Sequence, residues 1–319
     1  MTTYGYTLSS EEFPPSDLVR LAARAEELGF GFASISDHYH PWIEEQGHSP
    51  FVWATLGAIS QVTERLELAV GVTCPIVRVH PAIVAQATAT VAQLLDGRFT
   101  FGVGTGEALN EHILGDPWPR PAVRLAMLRE AVHIIRALWT GETVDHDGDY
   151  YDVENARLFD PPPGDIPIVV SAYGPKAIEL AAEIGDGLWG TSPDADLVNR
   201  FQDQGGKGPR YGQMTVCVGA DEQACKETVH RVWPNAAITG QLSQDLPTFT
   251  HFEQAAELVD VEAAAESVPC GPDPGPVLES VEEYRKAGYD HIYFHQIGPD
   301  QDAFFDMWTS ELEPALRAG

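Results

Sequence analysis

The chain has 319 residues, 44% of them hydrophobic, and a formal charge of −29 from 48 acidic and 19 basic residues. Its length suits one barrel of eight strand-and-helix units with a full core, while a charge of that sign and size repels nucleic acid and anionic membranes. No apolar run is long enough to span a bilayer, and Met1-Thr2-Thr3 leads into the strand-like Tyr4-Gly5-Tyr6-Thr7-Leu8 without a basic, apolar signal region, so a cytoplasmic protein is expected.

Asp17 to Gly29 sets Leu18, Leu21, Ala22, Ala25 and Leu28 at helical spacing and closes on a C-capping glycine. Phe32 to Ser36 is a run of small and β-branched residues, the pattern of a buried parallel strand, and it stops at Asp37 and His38. Phe51 to Thr63 reads as a helix, Leu66 to Val72 as a strand, Pro81 to Leu95 as a helix and Arg98 to Val103 as a fourth strand. After the long amphipathic helix Arg124 to Trp139, residues 143–152 predict a hairpin turning at Asp147-Gly148, an excursion from the barrel. Ile166 to Ala172, Gly187 to Gly190 and Met214 to Gly219 supply strands five to seven, with a helix at Ala177 to Ile184. The stretch near 233–276 is rich in Pro, Gly, Gln and Asp and reads as an insertion of short helices over the mouth. Glu279 to Gly288, His291 to His295 and Asp302 to Leu316 complete the eighth unit. This β-then-α order predicts a parallel sheet closed into a barrel, with residues 1–319 forming a single domain.

Cys74, Cys217, Cys225 and Cys270 form no C-x-x-C pair and have no His-rich partner spacing, so neither a disulfide framework nor a metal site is expected. Lysine is scarce, limited to Lys176, Lys207, Lys226 and Lys286. Self-repulsion of so acidic a surface is relieved by screening ions, which predicts stability rising with salt and an origin in a salt-rich cytoplasm.

The segment Ser34-Ile35-Ser36-Asp37-His38-Tyr39-His40-Pro41-Trp42 puts a carboxylate, imidazoles and an indole at the carboxyl end of a strand. In a barrel that end is where reactions occur, because the loops there converge on one mouth. Imidazole suits proton transfer near neutrality, although His38 as an ordinary loop histidine and Trp42 as a packing residue remain the bland alternative. Phe101-Gly102-Val103-Gly104-Thr105-Gly106-Glu107-Ala108-Leu109-Asn110-Glu111 follows strand four, where alternate glycines allow close backbone approach and Glu107 and Asn110 add an acid and an amide. The spacing is not the Rossmann fingerprint, and a purely structural turn fits those glycines equally well. In Ala172-Tyr173-Gly174-Pro175-Lys176 a proline and a lysine open a helix, which serves either as a plain cap or as an anion site.

Together these segments resemble the coenzyme F420-dependent branch of the luciferase-like superfamily, most closely its glucose-6-phosphate dehydrogenase group. Residues 36–42, Gln46-Gly47-His48-Ser49-Pro50-Phe51, Gly102 to Glu111, Asp147-Gly148-Asp149-Tyr150-Tyr151 and Gly185-Asp186-Gly187 carry the resemblance, which runs from about residue 4 to the C-terminus. It implies a TIM (β/α)8 barrel with insertions at the carboxyl-end face and a deazaflavin at the strand ends. In that family setting His38 takes the hydroxyl proton, Glu107 protonates the reduced ring, Trp42 stabilises the reaction centre and Glu11 lines the site. Asp37 orients the ring, a non-proline cis bond at Gly71-Val72 supports it, and Thr105, Gly106, Ala172, Tyr173, Gly174, Pro175, Lys176 and Thr191 hold its edge and phosphate tail. The family's usual pairing implies a homodimer.

One departure bears on the substrate. Asp194, Ser243 and Ser267 fall where the sugar-phosphate enzymes use basic side chains, leaving Arg200, Lys207 and Arg210 as the cations able to compensate if the loop were rebuilt. The expectation is therefore a dehydrogenase of an unphosphorylated alcohol or sugar-type hydroxyl. Alternatives are an F420H2-dependent reductase of activated C=C or C=O, a glucose-6-phosphate dehydrogenase proper, an FMN-dependent monooxygenase, against which His38, Trp42 and Glu107 argue, and a non-catalytic cofactor-binding protein.

Overall fold

The computed structural model describes residues 2–318. Its strands, in chain order, are β1 (Thr3–Leu8), β2 (Phe32–Ile35), β3 (Glu67–Thr73), β4 (Phe99–Val103), β5 (Val144–Asp147), β6 (Asp152–Ala156), β7 (Ile168–Ser171), β8 (Gly187–Gly190), β9 (Arg210–Val218), β10 (Cys270–Gly271) and β11 (His291–Gln296). Strands β1, β2, β3, β4, β7, β8, β9 and β11 pair in parallel in that order, and β11 returns to β1 to close an eight-stranded barrel.

Period-two alternation sorts the side chains into two cores. Phe32, Ala69, Val169, Trp189, Tyr211 and Tyr293 fill the barrel interior, where Trp189 stacks on Tyr211 with centroids 4.8 Å apart and planes 7° from parallel. The other face, with Tyr6, Leu8, Ile35, Leu68 and Val70, meets the helices. A filled interior is no pore, so a ligand must bind at an end. Since every barrel strand runs the same way, the segments after β1, β2, β3, β4, β7 and β8 all open at one mouth.

Helix Pro15–Glu27 buries Leu18, Leu21, Ala22 and Ala25, and Gly29 follows it at φ +79°. Helix Pro274–Ala287 begins five residues before the expected Glu279, because Asp273 accepts from the Gly275 N–H at 2.9 Å and proline occupies the first helical position. The helix expected over Phe51 to Thr63 is Val52–Ile59, and the strand expected from Met214 starts at Arg210. Helices Ala195–Asp203 and Glu222–Val232 complete units for which the sequence reading named only strands. The C-terminal helix is interrupted by a π turn over Trp308–Leu312. The β5–β6 hairpin is present, yet Asp147 pairs with Asp152, so a four-residue loop replaces the expected turn at Asp147-Gly148. Glu130 opens that loop by accepting from the Tyr150 and Tyr151 N–H groups at 3.2 and 2.9 Å. Short helices Pro234–Ala237, Gln241–Asp245, Phe249–Ala256 and Val261–Ala265 make up the insertion.

Candidate active site

Phe32 to Ile35 form a strand because β-branched and aromatic side chains pack on both faces, and the chain leaves the barrel where Ser36 and Asp37 turn polar. Ser36 Oγ donates to Glu11 Oε2 at 2.7 Å and Ser9 Oγ donates to the same oxygen at 3.2 Å, fixing the Glu11 carboxylate beneath His38. Its other oxygen lies 3.4 Å from His38 Nδ1, an approach without hydrogen-bond geometry that leaves this buried nitrogen unpartnered. Ser49 Oγ donates to the His38 carbonyl at 2.8 Å. The Trp42 indole meets the His38 ring edge-on at 5.0 Å and Phe252 from the insertion edge-on at 5.1 Å. Gln46 fastens this corner, accepting from Trp42 N–H at 2.8 Å and donating to the Val232 carbonyl at 3.0 Å.

Asp37 does not face solvent. Its Oδ2 accepts from Thr73 Oγ1 at 2.8 Å and its Oδ1 from Arg78 Nη2 at 3.0 Å. Arg78 also donates its N–H to Glu111 Oε2 at 2.7 Å and its Nε to Oε1 at 3.4 Å. The three charged side chains are 3%, 7% and 0% exposed, a buried cluster of two carboxylates about one guanidinium. Burial pushes the Glu111 carboxyl up to about 7, against the opposing hydrogen bond and charge of Arg78. Burial, with Glu111 and Glu107 nearby, also holds the Cys74 thiol well above its ordinary range.

Glu107 stands half-buried as the N-cap of the short helix Ala108–Glu111. Before it, Gly106 takes φ +68°, and a Cβ there would collide with Cys74 Sγ and come within 3.3 Å of Glu111 Cγ. Asn110 is 2% exposed; its Oδ1 accepts from the N–H groups of Tyr39 and His40 at 2.8 and 3.2 Å, while its buried Nδ2 has no partner. Gly71-Val72 is a cis peptide at the β3–β4 register shift, and a Cβ on Gly71 would strike the Trp189 ring and Ser34 Oγ.

On the far rim Ala172 is buried, Tyr173 is exposed with its hydroxyl 3.3 Å from Thr191 Oγ1, and Gly174, Pro175 and Lys176 open helix Pro175–Ile184. Thr105 is half-buried at the end of the Gly-rich run. Asp194 is the N-cap of helix Ala195–Asp203, accepting from Leu197 N–H at 3.0 Å. Ser243 is half-buried and donates to the Gly240 carbonyl at 2.9 Å, and Ser267 is exposed beyond helix Val261–Ala265. The compensating role considered for Arg200, Lys207 and Arg210 is corrected by the topology: Arg210 opens β9 at the amino end of the barrel and pairs with Asp290, Lys207 precedes it, and Arg200 sits in the last turn of a helix running toward that end.

The sequence motifs give no site role to Arg78 or Thr73, and include Ser36 and Gln46 only as residues of a family resemblance. Arg78, a rare cation five residues after a strand, was a usable signal; the partners of the others are set by distant loops. The unpartnered His38 Nδ1 and Asn110 Nδ2, with the close-approach glycines at 71 and 106, fit a flat polar group at the mouth. Among the described residues no group of His, Cys, Asp or Glu could hold a metal ion.

A sequence profile described as luciferase-like monooxygenase matches residues 1–291. The chain belongs to the luciferase-like family. Family relatives include the F420-dependent glucose-6-phosphate dehydrogenases of Nocardia farcinica, 36% identical over 98% of both chains, and of Mycolicibacterium smegmatis, 36% identical over 98% of this chain and 97% of the relative. Among solved structures, an F420-dependent secondary alcohol dehydrogenase in complex with an F420-acetone adduct superposes with a TM-score of 0.92 at 30% identity over 99% of each chain. A coenzyme F420-dependent tetrahydromethanopterin reductase from Methanopyrus kandleri, 23% identical with a TM-score of 0.76, shares the fold.

Proposed function

We propose that this luciferase-like protein is a coenzyme F420-dependent dehydrogenase acting on CH–OH, moving a hydride between an unphosphorylated alcohol or sugar-type carbon and C5 of the deazaflavin. The observation that carries this reading is the pairing, at one mouth, of a histidine backed by a carboxylate with a second carboxylate on the neighbouring loop: His38 over Glu11, and Glu107 after β4. A non-catalytic binding protein has no use for that pair, and the likeness to dehydrogenases at 36% and 30% identity supports it. Bound F420 would supply the hydride acceptor or donor. Residues 71–72, 105–106, 110, 172–176 and 191 would hold it, with Asp37 anchoring the loop at its ring.

His38 accepts the hydroxyl proton of the alcohol, and Glu11, 3.4 Å from Nδ1, stabilises the imidazolium. Trp42, packed against His38 and Phe252, walls the reacting carbon from water. Glu107 holds the exchangeable proton at its carboxyl oxygen, on the loop that Asn110 ties to Tyr39 and His40. An aspartate and two serines at positions 194, 243 and 267 offer a phosphate no cation, which supports an unphosphorylated substrate.

The same reading takes residues 1–319 as one domain and the protein as a cytoplasmic homodimer adapted to salt. No helix of the described residues is long and apolar enough to cross a membrane. Val62, Ile83 and Leu94, left exposed around the helices that follow β2 and β3, support pairing there, which sedimentation would test. The function itself is tested by mixing the protein with F420 and with FMN and following binding by fluorescence. Loss of the oxidised deazaflavin absorbance is then followed with secondary alcohols, glucose and glucose 6-phosphate. Binding of FMN alone, or no reduction of F420 by any hydroxyl substrate, would overturn it.

A further inference from the structure

Three loops of the mouth meet on one buried side chain that the proposed chemistry leaves without a role. Arg78, from the segment after β3, reaches Asp37 beside His38 and Glu111 in the helix that Glu107 caps. Its own N–H adds a second link to Glu111, and its Nη2 also reaches the Asp37 carbonyl at 3.3 Å. A guanidinium is suited to this task because its planar fork presents several donors in fixed directions, whereas an ammonium is a single point charge. Among the described residues Arg78 is the cation that forms ion pairs with these two acids, and the groups facing Glu111 are Arg78, Asp37 and Glu107, with Cys74 beside it and the Tyr151 phenol of the hairpin nearby. Two carboxylates about one cation in the dry interior would repel if the cation were lost, and the His38 and Glu107 loops would part.

We propose that Arg78 is a positioning residue for the reaction, locking the loop that carries His38 against the loop that carries Glu107 through the buried carboxylates of Asp37 and Glu111. This inference rests on the proton-transfer roles assigned above. A misplacement near 1 Å in such a pair costs about a hundredfold in rate, so the lock acts on turnover more than on affinity. It also makes the pair sensitive to Glu111, whose ionisation sets the charge of the cluster.

The test compares the full-length protein with Arg78→Met, Arg78→Lys and Glu111→Gln, checking folding by circular dichroism. In the cofactor-free protein the His38 imidazole resonance, assigned by its loss in His38→Ala, is titrated by NMR. With F420 and the best alcohol, kcat and KM are measured from pH 5 to 9. Arg78→Met is expected to lower kcat about 10- to 100-fold with KM changed less than about threefold, and to shift or broaden the His38 signal. Arg78→Lys should recover part of kcat, and Glu111→Gln should remove a limb of the rate profile near neutrality. Wild-type kcat and an unmoved His38 signal in Arg78→Met would overturn the proposal. If that variant does not fold, a Glu111→Gln protein with an unchanged profile and an unmoved His38 signal overturns it instead. Failure of the wild type to reduce F420 would sink the functional reading alone, since the His38 resonance reports on the lock without the cofactor.

Discussion

The two halves of the mouth are built differently. After β2, β3 and β4 the loops are knotted together by Asp37, Thr73, Arg78, Asn110 and Glu111, each buried or nearly so and hydrogen-bonded across loops. After β7 and β8, residues 191–196 lie exposed, Tyr173 is 57% exposed and its hydroxyl meets that of Thr191 across the two loops. The insertion is intermediate, buried where Phe252 backs Trp42 but leaving Leu242 and Leu258 open to solvent. Proton transfer demands fixed geometry, which the buried cross-loop hydrogen bonds of the first half suit. On the proposed reading substrate choice falls to the more open half, where a side chain can change without disturbing that geometry.

The largest effect should come from the first half. His38→Ala removes the proposed general base and is expected to lower turnover about 10²- to 10⁴-fold while F420 affinity holds; stopped-flow absorbance and fluorescence titration separate the two. Near wild-type turnover would place the base elsewhere and erase the contrast between halves.

The more open half is probed by substrate. Each missing charge-assisted hydrogen bond to a phosphate costs about 1.5 to 3 kcal/mol, or one to two powers of ten in affinity. Catalytic efficiency with glucose 6-phosphate should therefore fall at least about tenfold below that with the best unphosphorylated alcohol at equal salt. Asp194→Lys should narrow the gap. A clear preference for the sugar phosphate would show that another cation reaches the pocket.

Titration of Glu111 sharpens the comparison through stability. Its folded pKa, pushed up to about 7 from the ordinary 4.5, means that the native state holds this proton more tightly than the unfolded chain. The contribution is full below pH 4.5 and is lost as pH rises through about 7, with an upper bound of about 3 kcal/mol. Between pH 5 and 8 the wild type should lose denaturation midpoint relative to Glu111→Gln. Parallel curves would mean that Arg78 compensates the carboxylate fully.

The smallest effect is expected at the exposed helix start on the far rim. A deazaflavin lacking the phosphate and glutamate tail should bind more weakly, and Lys176→Ala should account for about 0.3 to 1 kcal/mol of the difference, shrinking at high salt. Equal affinity of the two forms would put the tail elsewhere.

Barrel strands and most helices were legible in the sequence because burial on both faces writes runs such as Phe32 to Ile35, and helical spacing writes Leu18, Leu21 and Ala25. Boundaries slipped where a cap overrode the apolar pattern, as at Asp273-Pro274, or where a distant side chain shaped a turn, as Glu130 does for the hairpin loop. His38, Trp42 and Glu107 could be named as candidates because they follow the ends of β2 and β4 in motifs a few residues long. The cluster of Asp37, Arg78 and Glu111 could not, nor could the bracing of Trp42 by Phe252, more than two hundred residues away. The sequence by itself determined which strands form and which polar residues stand at their carboxyl ends, since both follow from local patterns of burial. Only barrel closure decided which of those residues face one another, because a contact between loops from different strands depends on register and on the order of strands around the barrel.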